Sequence, residues 1–242
     1  FYGNDNSFTK LSVISSLPGL KAVVKLDSEP VENFDLQLGE YYFSSASWKQ
    51  PTRSVELSLK GEYSRLYAMM LENEQPGLLL HSTGINGAGF YTLHDQSLLF
   101  QQIGMLNPDL IVISLGTNDA QGNYRNNVFE ANLKSFMTNL RKTNPQTPVL
   151  FTLPPDSHKR GKHNSDLGKV MKSIISYAKE HNCAWWDLSE VMGGNSSVQK
   201  WRSQQMASKD LLHYTPKGYM LQGYLFYQAF VKSYKSFSEQ NR

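Results

Sequence analysis

Two short apolar runs, each closed by a glycine turn, constrain the fold of this chain more than any other feature. The first run is residues 78–80, followed by Gly84, and the second is residues 110–115, followed by Gly116. Continuous apolar runs of this length are typical of strands buried on both faces of a parallel sheet, and the helical stretch between them predicts a βαβ unit. Ligands bind at the carboxyl ends of such strands, so both turns are candidate site loops.

The alternation of helix and strand continues toward the C-terminus. Apolar residues recur at intervals of three and four within 92–106, 128–140 and 167–178, which predicts helices, and a capping box is suggested at 127–130. Apolar runs at 148–153 and 184–188 bring the predicted strands to four, and Thr215-Pro216 is typical of the start of a long last helix. These elements predict an α/β fold of three layers, flavodoxin-like, with a parallel sheet covered on both sides.

The first 76 residues have a different pattern. Short runs rich in β-branched and aromatic residues are separated by Pro, Gly, Asn and Asp at 11–14, 20–26, 34–38, 41–45, 54–60 and 65–71. They predict a β-sandwich-like accessory region over residues 1–76, and Pro76-Gly77 marks its boundary with an α/β domain over 77–242. Trp48, Tyr41 and Tyr42 fit either the core of this sandwich or a platform for sugar rings.

Charge and cysteine content exclude several classes of function. A net charge of +3, with 40% hydrophobic and 19% charged residues, is that of an ordinary globular protein and argues against a nucleic-acid partner. No run of eighteen apolar residues that could span a membrane is present. Cys183 is the only cysteine, so an internal disulfide is impossible and the redox compartment stays open.

Four residues in these loops could perform acyl-transfer chemistry. The backbone N–H of Gly84 and the side-chain amide of Asn118 could converge on a developing oxyanion. Far downstream, Asp210 lies three residues before His213, so that its carboxylate could hold one ring nitrogen while the other takes a proton from a nucleophile.

These residues, in this order, resemble the SGNH (GDSL-like) hydrolases and acylhydrolases, and the resemblance covers residue 78 to the C-terminus. It assigns Gly84 to the second conserved block of that family, Asn118 to the third, and Asp210 with His213 to the last. It implies the SGNH-hydrolase form of the α/β fold and a serine-dependent esterase without metal or organic cofactor. The implied substrate is an acyl ester, an O-acetyl group on a carbohydrate or cell-wall polymer above all.

The first block of the family, a strand ending in Gly-Asp-Ser with the nucleophilic serine, has no counterpart before Gly84. Residues 3–7 have no preceding strand, and Ser15 and Ser16 lack a glycine turn. Some members of the family carry a β domain between the first two blocks. By this resemblance the nucleophile lies on a segment upstream of Phe1, outside the chain, and an extracytoplasmic location, periplasmic or secreted, is favoured. The alternative is a non-catalytic carbohydrate-binding or scaffold protein that lost its nucleophile.

The loop at 155–166 is a further candidate site. Its acidic and imidazole side chains are Asp156, His158, His163 and Asp166, and their spacing matches no metal-binding motif. Its basic residues, Lys159, Arg160 and Lys162, suggest a preference for an anionic or polysaccharide substrate if the loop borders the cleft.

Overall fold

The computed structural model describes residues 7–16, 21–26, 29–34, 42–60, 65–73 and 75–240. The chain divides into two compact units, residues 1–82 and 83–242. Each unit has its own sheets and its own apolar core, so the two are described separately.

The regular secondary structure in the described residues of the first unit is β-strand. Its strands are β1 (Phe8–Ser15), β2 (Lys21–Leu26), β3 (Glu29–Phe34), β4 (Tyr42–Thr52), β5 (Val55–Lys60) and β6 (Leu66–Glu72). They form two antiparallel three-stranded sheets with the strand orders β4-β1-β6 and β3-β2-β5. The predicted antiparallel region is therefore confirmed, although most of the predicted run 34–38, together with Leu20 and Tyr41, lies outside the described residues.

The core of this unit joins the two sheets. Leu11 and Val13 of β1 are buried against Val55 and Leu57 of β5, which explains why apolar residues alternate along β5. Trp48 packs in the same cluster, and its indole Nε1 donates to the Phe8 carbonyl at 3.2 Å. Trp48 is therefore partly buried by internal contacts, which favours the core alternative for this residue.

The second unit is α/β. Its helices are α1 (Phe90–Leu93), α2 (Ser97–Met105), α3 (Thr117–Gln121), α4 (Asn126–Thr143), α5 (Asp166–Glu180), α6 (Leu188–Val191), α7 (Ser197–Ser203) and α8 (Pro216–Gln240). Its strands are β7 (Ile111–Ile113), β8 (Val149–Thr152), β9 (His158–Lys159), β10 (Lys162–His163) and β11 (Ala184–Trp186). The sheet β11-β8-β7 is parallel, and β9 and β10 form a small antiparallel hairpin. The predicted α/β fold is thus confirmed.

Helices with one apolar face cover this sheet. The buried residues of α4 and α5 recur at the predicted three- and four-residue spacing and share one core with the apolar strands β7 and β8. At the end of the unit, α8 begins at Pro216 as predicted, and the Thr215 hydroxyl accepts the Gly218 N–H at 3.2 Å. None of the helices in the described ranges has both the length and the apolar character that a membrane crossing requires.

The predicted strand at 78–80 is wrong. The three leucines lie in irregular chain, and Leu78, Leu79 and Leu80 are 87%, 58% and 81% exposed. A strand exists only if a neighbouring strand pairs with its N–H and C=O groups, and none pairs with this run in the described part of the chain. Among the described residues, the parallel sheet therefore has three strands rather than four.

Two helix details also differ from the prediction. The predicted helix at 92–106 is broken between α1 and α2, where the His94 carbonyl accepts hydrogen bonds from Ser135 and Asn139 of α4. The capping box at 127–130 is wrong, because α4 begins two residues earlier than that box requires, after Arg125, and has no side-chain cap. Contacts with residues about forty positions away therefore accompany the break at His94.

Candidate active site

Asp210 and His213 form a hydrogen-bonded pair in the turn before α8. The His213 Nδ1 atom lies 2.7 Å from the Asp210 Oδ2 atom. The other carboxylate oxygen accepts the backbone N–H groups of Leu212 and His213, each at 3.0 Å. Both side chains are open to solvent, 66% for His213 and 51% for Asp210. The arrangement orients the imidazole through Nδ1 and leaves Nε2 on the accessible side of the pair for proton transfer.

The carboxylate of this pair stays ionised over a wide pH range. Partial burial raises the pKa of Asp210, but the hydrogen bonds from the His213 ring and from the His213 and Leu212 N–H groups outweigh it and lower the pKa to about 2. A group that orients an imidazole and stabilises its protonated form must carry its charge at working pH, and Asp210 meets that requirement.

The backbone around the pair is held by short-range hydrogen bonds. Ser208 N–H donates to the His213 carbonyl at 2.8 Å, and Thr215 N–H donates to the Met206 carbonyl at 3.0 Å. Leu211 adopts a left-handed conformation with φ of 55°, which closes the turn between the two polar residues. A Cβ atom on Gly218 would overlap the Met206 carbonyl oxygen, so only glycine lets α8 pack this closely against the loop.

Asn118 lies in the first turn of α3, which follows β7 directly. Gly116, at φ of 115°, makes the turn into α3, and a Cβ there would come within 2.9 Å of Pro154 and Val170. The Asn118 side-chain amide donates to the Ala88 carbonyl at 2.8 Å. An amide nitrogen carries two hydrogens, so one remains for a substrate oxygen.

Gly84 is not joined to Asn118 by any contact that the structure records. It is exposed, in irregular chain, and nothing lies within 4 Å of the position of its Cβ. The backbone against Asn118 is instead that of Ala88, at the end of a turn in which the Ala88 N–H donates to the Ile85 carbonyl at 3.1 Å. Gly87, with φ of 77°, lies in that turn.

Asp119 is a buried residue of this region that the sequence did not single out. Its carboxylate accepts the N–H groups of Phe90 and Tyr91 at 3.2 and 3.3 Å, and so binds the start of α1 to the start of α3. Burial raises the pKa of Asp119, although these two hydrogen bonds act in the opposite direction. Gly89 fits against it closely, because a Cβ there would lie 2.6 Å from Asp119 Oδ2. The sequence feature that could have identified Asp119 was its position next to Asn118, in the turn after an apolar strand.

The loop at 155–166 is ordered by its own polar groups. The Lys159 ammonium contacts the carbonyls of Ala120 and Gly122 and the Asp166 carboxylate, so this charge has partners within the protein. Asp156, with a side chain only 1% exposed, lies 3.3 Å from His163 Nδ1. Across the described ranges, no three His, Cys, Asp or Glu side chains are grouped as metal ligands.

The serines considered as nucleophiles in the first unit have other environments. Ser15 is fully buried in β1. The Ser16 hydroxyl accepts the Arg65 N–H at 2.9 Å. Residues 3–6 of the remaining candidate lie outside the described residues. Of the three serines, Ser15 lacks an accessible hydroxyl, the Ser16 hydroxyl is engaged in a hydrogen bond, and Ser7 is partly exposed.

Known acyl-ester hydrolases are similar to this chain in sequence and in fold. The model of the GDSL-like lipase/acylhydrolase family matches residues 49–221. A peptidoglycan O-acetylesterase superposes with a TM-score of 0.73 at 20% identity, over 94% of this chain and 65% of its own. A GDSL-like lipase from Bacteroides thetaiotaomicron is 25% identical over 61% of this chain and 73% of its own, with a TM-score of 0.47. No curated protein matches the sequence.

The likeness to the O-acetylesterase covers both units and shows the fold. The present chain spans 65% of the length of that protein, slightly less than two thirds. The likeness therefore concerns the fold of these residues and not the activity of a whole protein of this kind.

Proposed function

Because the chain belongs to the GDSL-like lipase/acylhydrolase family, we propose that it carries the acid/base pair and the oxyanion donors of a serine-dependent esterase. The observation that carries this proposal is the 2.7 Å contact between His213 Nδ1 and Asp210 Oδ2. A carboxylate held on one ring nitrogen fixes the tautomer that leaves Nε2 able to accept a proton.

The proposed reaction passes through a covalent acyl-enzyme. His213 Nε2 takes the proton of a serine hydroxyl as its oxygen attacks the ester carbonyl carbon, and then gives that proton to the leaving alcohol. Water enters in the second half and loses a proton to His213, which returns it to the serine when the acid leaves. Asp210 remains charged throughout and stabilises the imidazolium that forms in each half.

Asn118 is the proposed side-chain donor to the oxyanion. One of its amide hydrogens is bound to the Ala88 carbonyl, which fixes the direction of the other. Asn118→Ala should lower kcat by about 10²–10³-fold with little change in KM, because the donor acts on charge that develops only in the transition state. An unchanged kcat in this variant would contradict the assignment.

Gly84 N–H is the backbone donor that the sequence suggests, and Gly87 N–H competes with it. The competitor is supported by its place in the turn whose Ala88 carbonyl is bound by Asn118. Gly84→Pro removes the N–H and should cost about 10²–10³-fold in kcat if Gly84 is the donor. Gly84→Ala keeps the N–H and is the matched control. Equal activity of the two variants would favour Gly87.

The nucleophilic serine is proposed to come from a segment outside these 242 residues. The absence of Gly-Asp-Ser before Gly84, the burial of Ser15 and the engaged hydroxyl of Ser16 support this view. The proposed substrates are small acyl esters, with the O-acetyl group of a carbohydrate or cell-wall polymer as the first to test, since the similar esterase is named for peptidoglycan.

A serine-reactive fluorophosphonate tests the location of the nucleophile. The chain alone should remain unlabelled, while a form extended upstream by its own coding sequence should be labelled at one serine and release acetate from O-acetylated peptidoglycan and acetylxylan. Labelling within the 242 residues would place the nucleophile in this chain. No labelling and no acetate release by the extended form would favour the non-catalytic carbohydrate-binding alternative.

A further inference from the structure

The segment 156–164, between β8 and α5, contacts both halves of the proposed site. It contains the hairpin of β9 and β10, whose turn residues Arg160 and Gly161 have φ of 53° and 78°. Two consecutive left-handed residues form the tight hairpin turn whose twist matches the flanking strands. We refer to residues 156–164 as the brace.

One side of the brace holds the end of α3, the helix that carries Asn118. Gln121 Nε2 donates to the His158 carbonyl at 2.9 Å and to the Ser157 hydroxyl at 3.3 Å. Lys159 Nζ and Asn164 Nδ2 both donate to the Ala120 carbonyl, at 2.9 and 3.2 Å. Lys159 and Asn164 satisfy a carbonyl at the end of α3 that lacks a partner within the helix, and together with Gln121 they fix the position of this helix end.

The other side of the brace holds the loop that carries His213. The His158 N–H donates to the Leu211 carbonyl at 2.8 Å. The Tyr214 hydroxyl donates to the Asp156 carbonyl at 2.6 Å, and the residue is 5% exposed. The two hydrogen bonds bind the loop two residues before and one residue after His213.

Burial makes the brace stiff. Asp156, Ser157, His158 and Asn164 are 2%, 0%, 7% and 1% exposed. Asp156 Oδ2 also accepts the Val198 N–H at 3.0 Å, which ties the brace to α7. Moving the segment would break several buried hydrogen bonds at once, and each is costly to leave unmade in a low-dielectric interior.

We propose that the brace sets the distance between the Asn118 amide and the His213 imidazole, with Gln121 and Tyr214 as the positioning residues at its two ends. This inference rests on the proposed function, because that distance matters only if both groups act on one ester. A shift on the order of 1 Å in such a pair can cost about a hundredfold in rate. Neither positioning residue touches the substrate.

The first test is a double-mutant cycle in the form extended upstream. Gln121→Ala and Tyr214→Phe should each lower kcat by about tenfold or more with KM nearly unchanged. The double variant should be only slightly slower than the worse single variant. The reason is that removing the hydrogen bond at either end of the brace already releases the distance between the Asn118 amide and the His213 imidazole. Asn139→Ala and Tyr124→Phe remove comparable hydrogen bonds, at 2.8 and 2.7 Å, away from the brace and should leave kcat unchanged.

The second test needs no activity. In NMR spectra of the chain, Tyr214→Phe should shift the side-chain amide signals of Asn118, and Gln121→Ala should shift the ring signals of His213. The control variants should shift neither.

The two tests separate the two proposals. The positioning role of the brace is refuted if each variant shifts NMR signals only on its own side of the brace. It is also refuted if the loss of kcat in the double variant equals the product of the two single losses. Either result would count even when the protein is an active esterase. If each variant shifts NMR signals on the opposite side of the brace but the protein hydrolyses no ester, the brace does link the two groups and the proposed function is wrong.

Discussion

The turn that carries Asp210 and His213 and the stretch from Leu78 to Gly84 were both predicted from local sequence patterns, yet they differ in structure. In the turn, the Asp210 carboxylate accepts hydrogen bonds from two backbone N–H groups and contacts one ring nitrogen of His213. All of these groups belong to residues at most three positions away. In the stretch, the leucines are exposed and the chain is irregular.

The difference shows which kinds of motif can form from local sequence. In a D-x-x-H turn, the hydrogen bonds join residues of the turn to one another. The geometry of the turn therefore needs only the following helix to hold it in place. A strand has no such local closure, because each of its backbone groups must pair with a neighbour that can be distant in sequence. Variants in the two regions test whether this distinction governs activity and stability.

The largest effect is expected from removing the imidazole of the turn. His213→Ala in the form extended upstream should lower kcat by about 10⁴-fold, because the general base of a catalytic triad is lost. Acetate release measures the rate, and His181→Ala, an exposed histidine stacked on Tyr177, is the control. A loss of less than tenfold would show that the pair is not catalytic.

The packing of the turn against α8 is tested by a pair of glycine variants. Gly218→Ala should destabilise the protein by about 1–3 kcal/mol, because its Cβ meets the Met206 carbonyl. Gly223→Ala lies in open space on the same helix and should stabilise it by about 0.5–1 kcal/mol through helix propensity. Thermal unfolding of both variants gives the comparison, and equal melting temperatures would contradict the close packing.

A second pair of variants tests the chain around Gly84. Gly89→Ala places a Cβ 2.6 Å from Asp119 Oδ2 and should cost about 1–3 kcal/mol. Gly84→Ala meets nothing within 4 Å and should change stability by less than about 0.5 kcal/mol. Urea unfolding is the measurement. A large loss for Gly84→Ala in the chain alone would mean that Gly84 is packed more closely than the structure shows.

The smallest effect concerns the charge of Asp210. Its pKa is lowered from 3.8 to about 2 in the folded chain, so its carboxylate contributes stability above pH 3.8 that is lost as the pH falls through about 2. Asp210→Asn should therefore be less stable than the parent at pH 7 and equally stable near pH 2. Since Asp210 is 51% exposed, the difference should stay below about 1 kcal/mol. A difference independent of pH would refute the ionised pair.

Much of the second unit was predictable, because its helices and strands have strong periodic patterns. The apolar faces of α4 and α5 and the run of β8 follow the predicted intervals, and Pro216 begins α8 as predicted. The spacing of Asp210 and His213 also predicted their contact, since three residues of a turn suffice to close it.

What could not be predicted depended on distant partners. The break between α1 and α2 follows from α4 side chains that bind the His94 carbonyl. Lys159 was interpreted as a charge that could favour an anionic or polysaccharide substrate, whereas carbonyls of residues about forty positions away bind its ammonium. The spacing around Asn118 gave no hint that its amide binds Ala88, thirty residues earlier.

The sequence by itself determined the α/β and β-rich parts of the chain, the amphipathic helices and the local geometry of the Asp210–His213 turn, because each of these follows from residues a few positions apart. The tertiary structure alone decided that residues 78–80 are not a strand, that Asp119 joins α1 to α3, and that the segment 156–164 contacts both α3 and the His213 loop. The physical reason is that backbone pairing and the satisfaction of buried polar groups depend on neighbours in space, which local sequence does not specify.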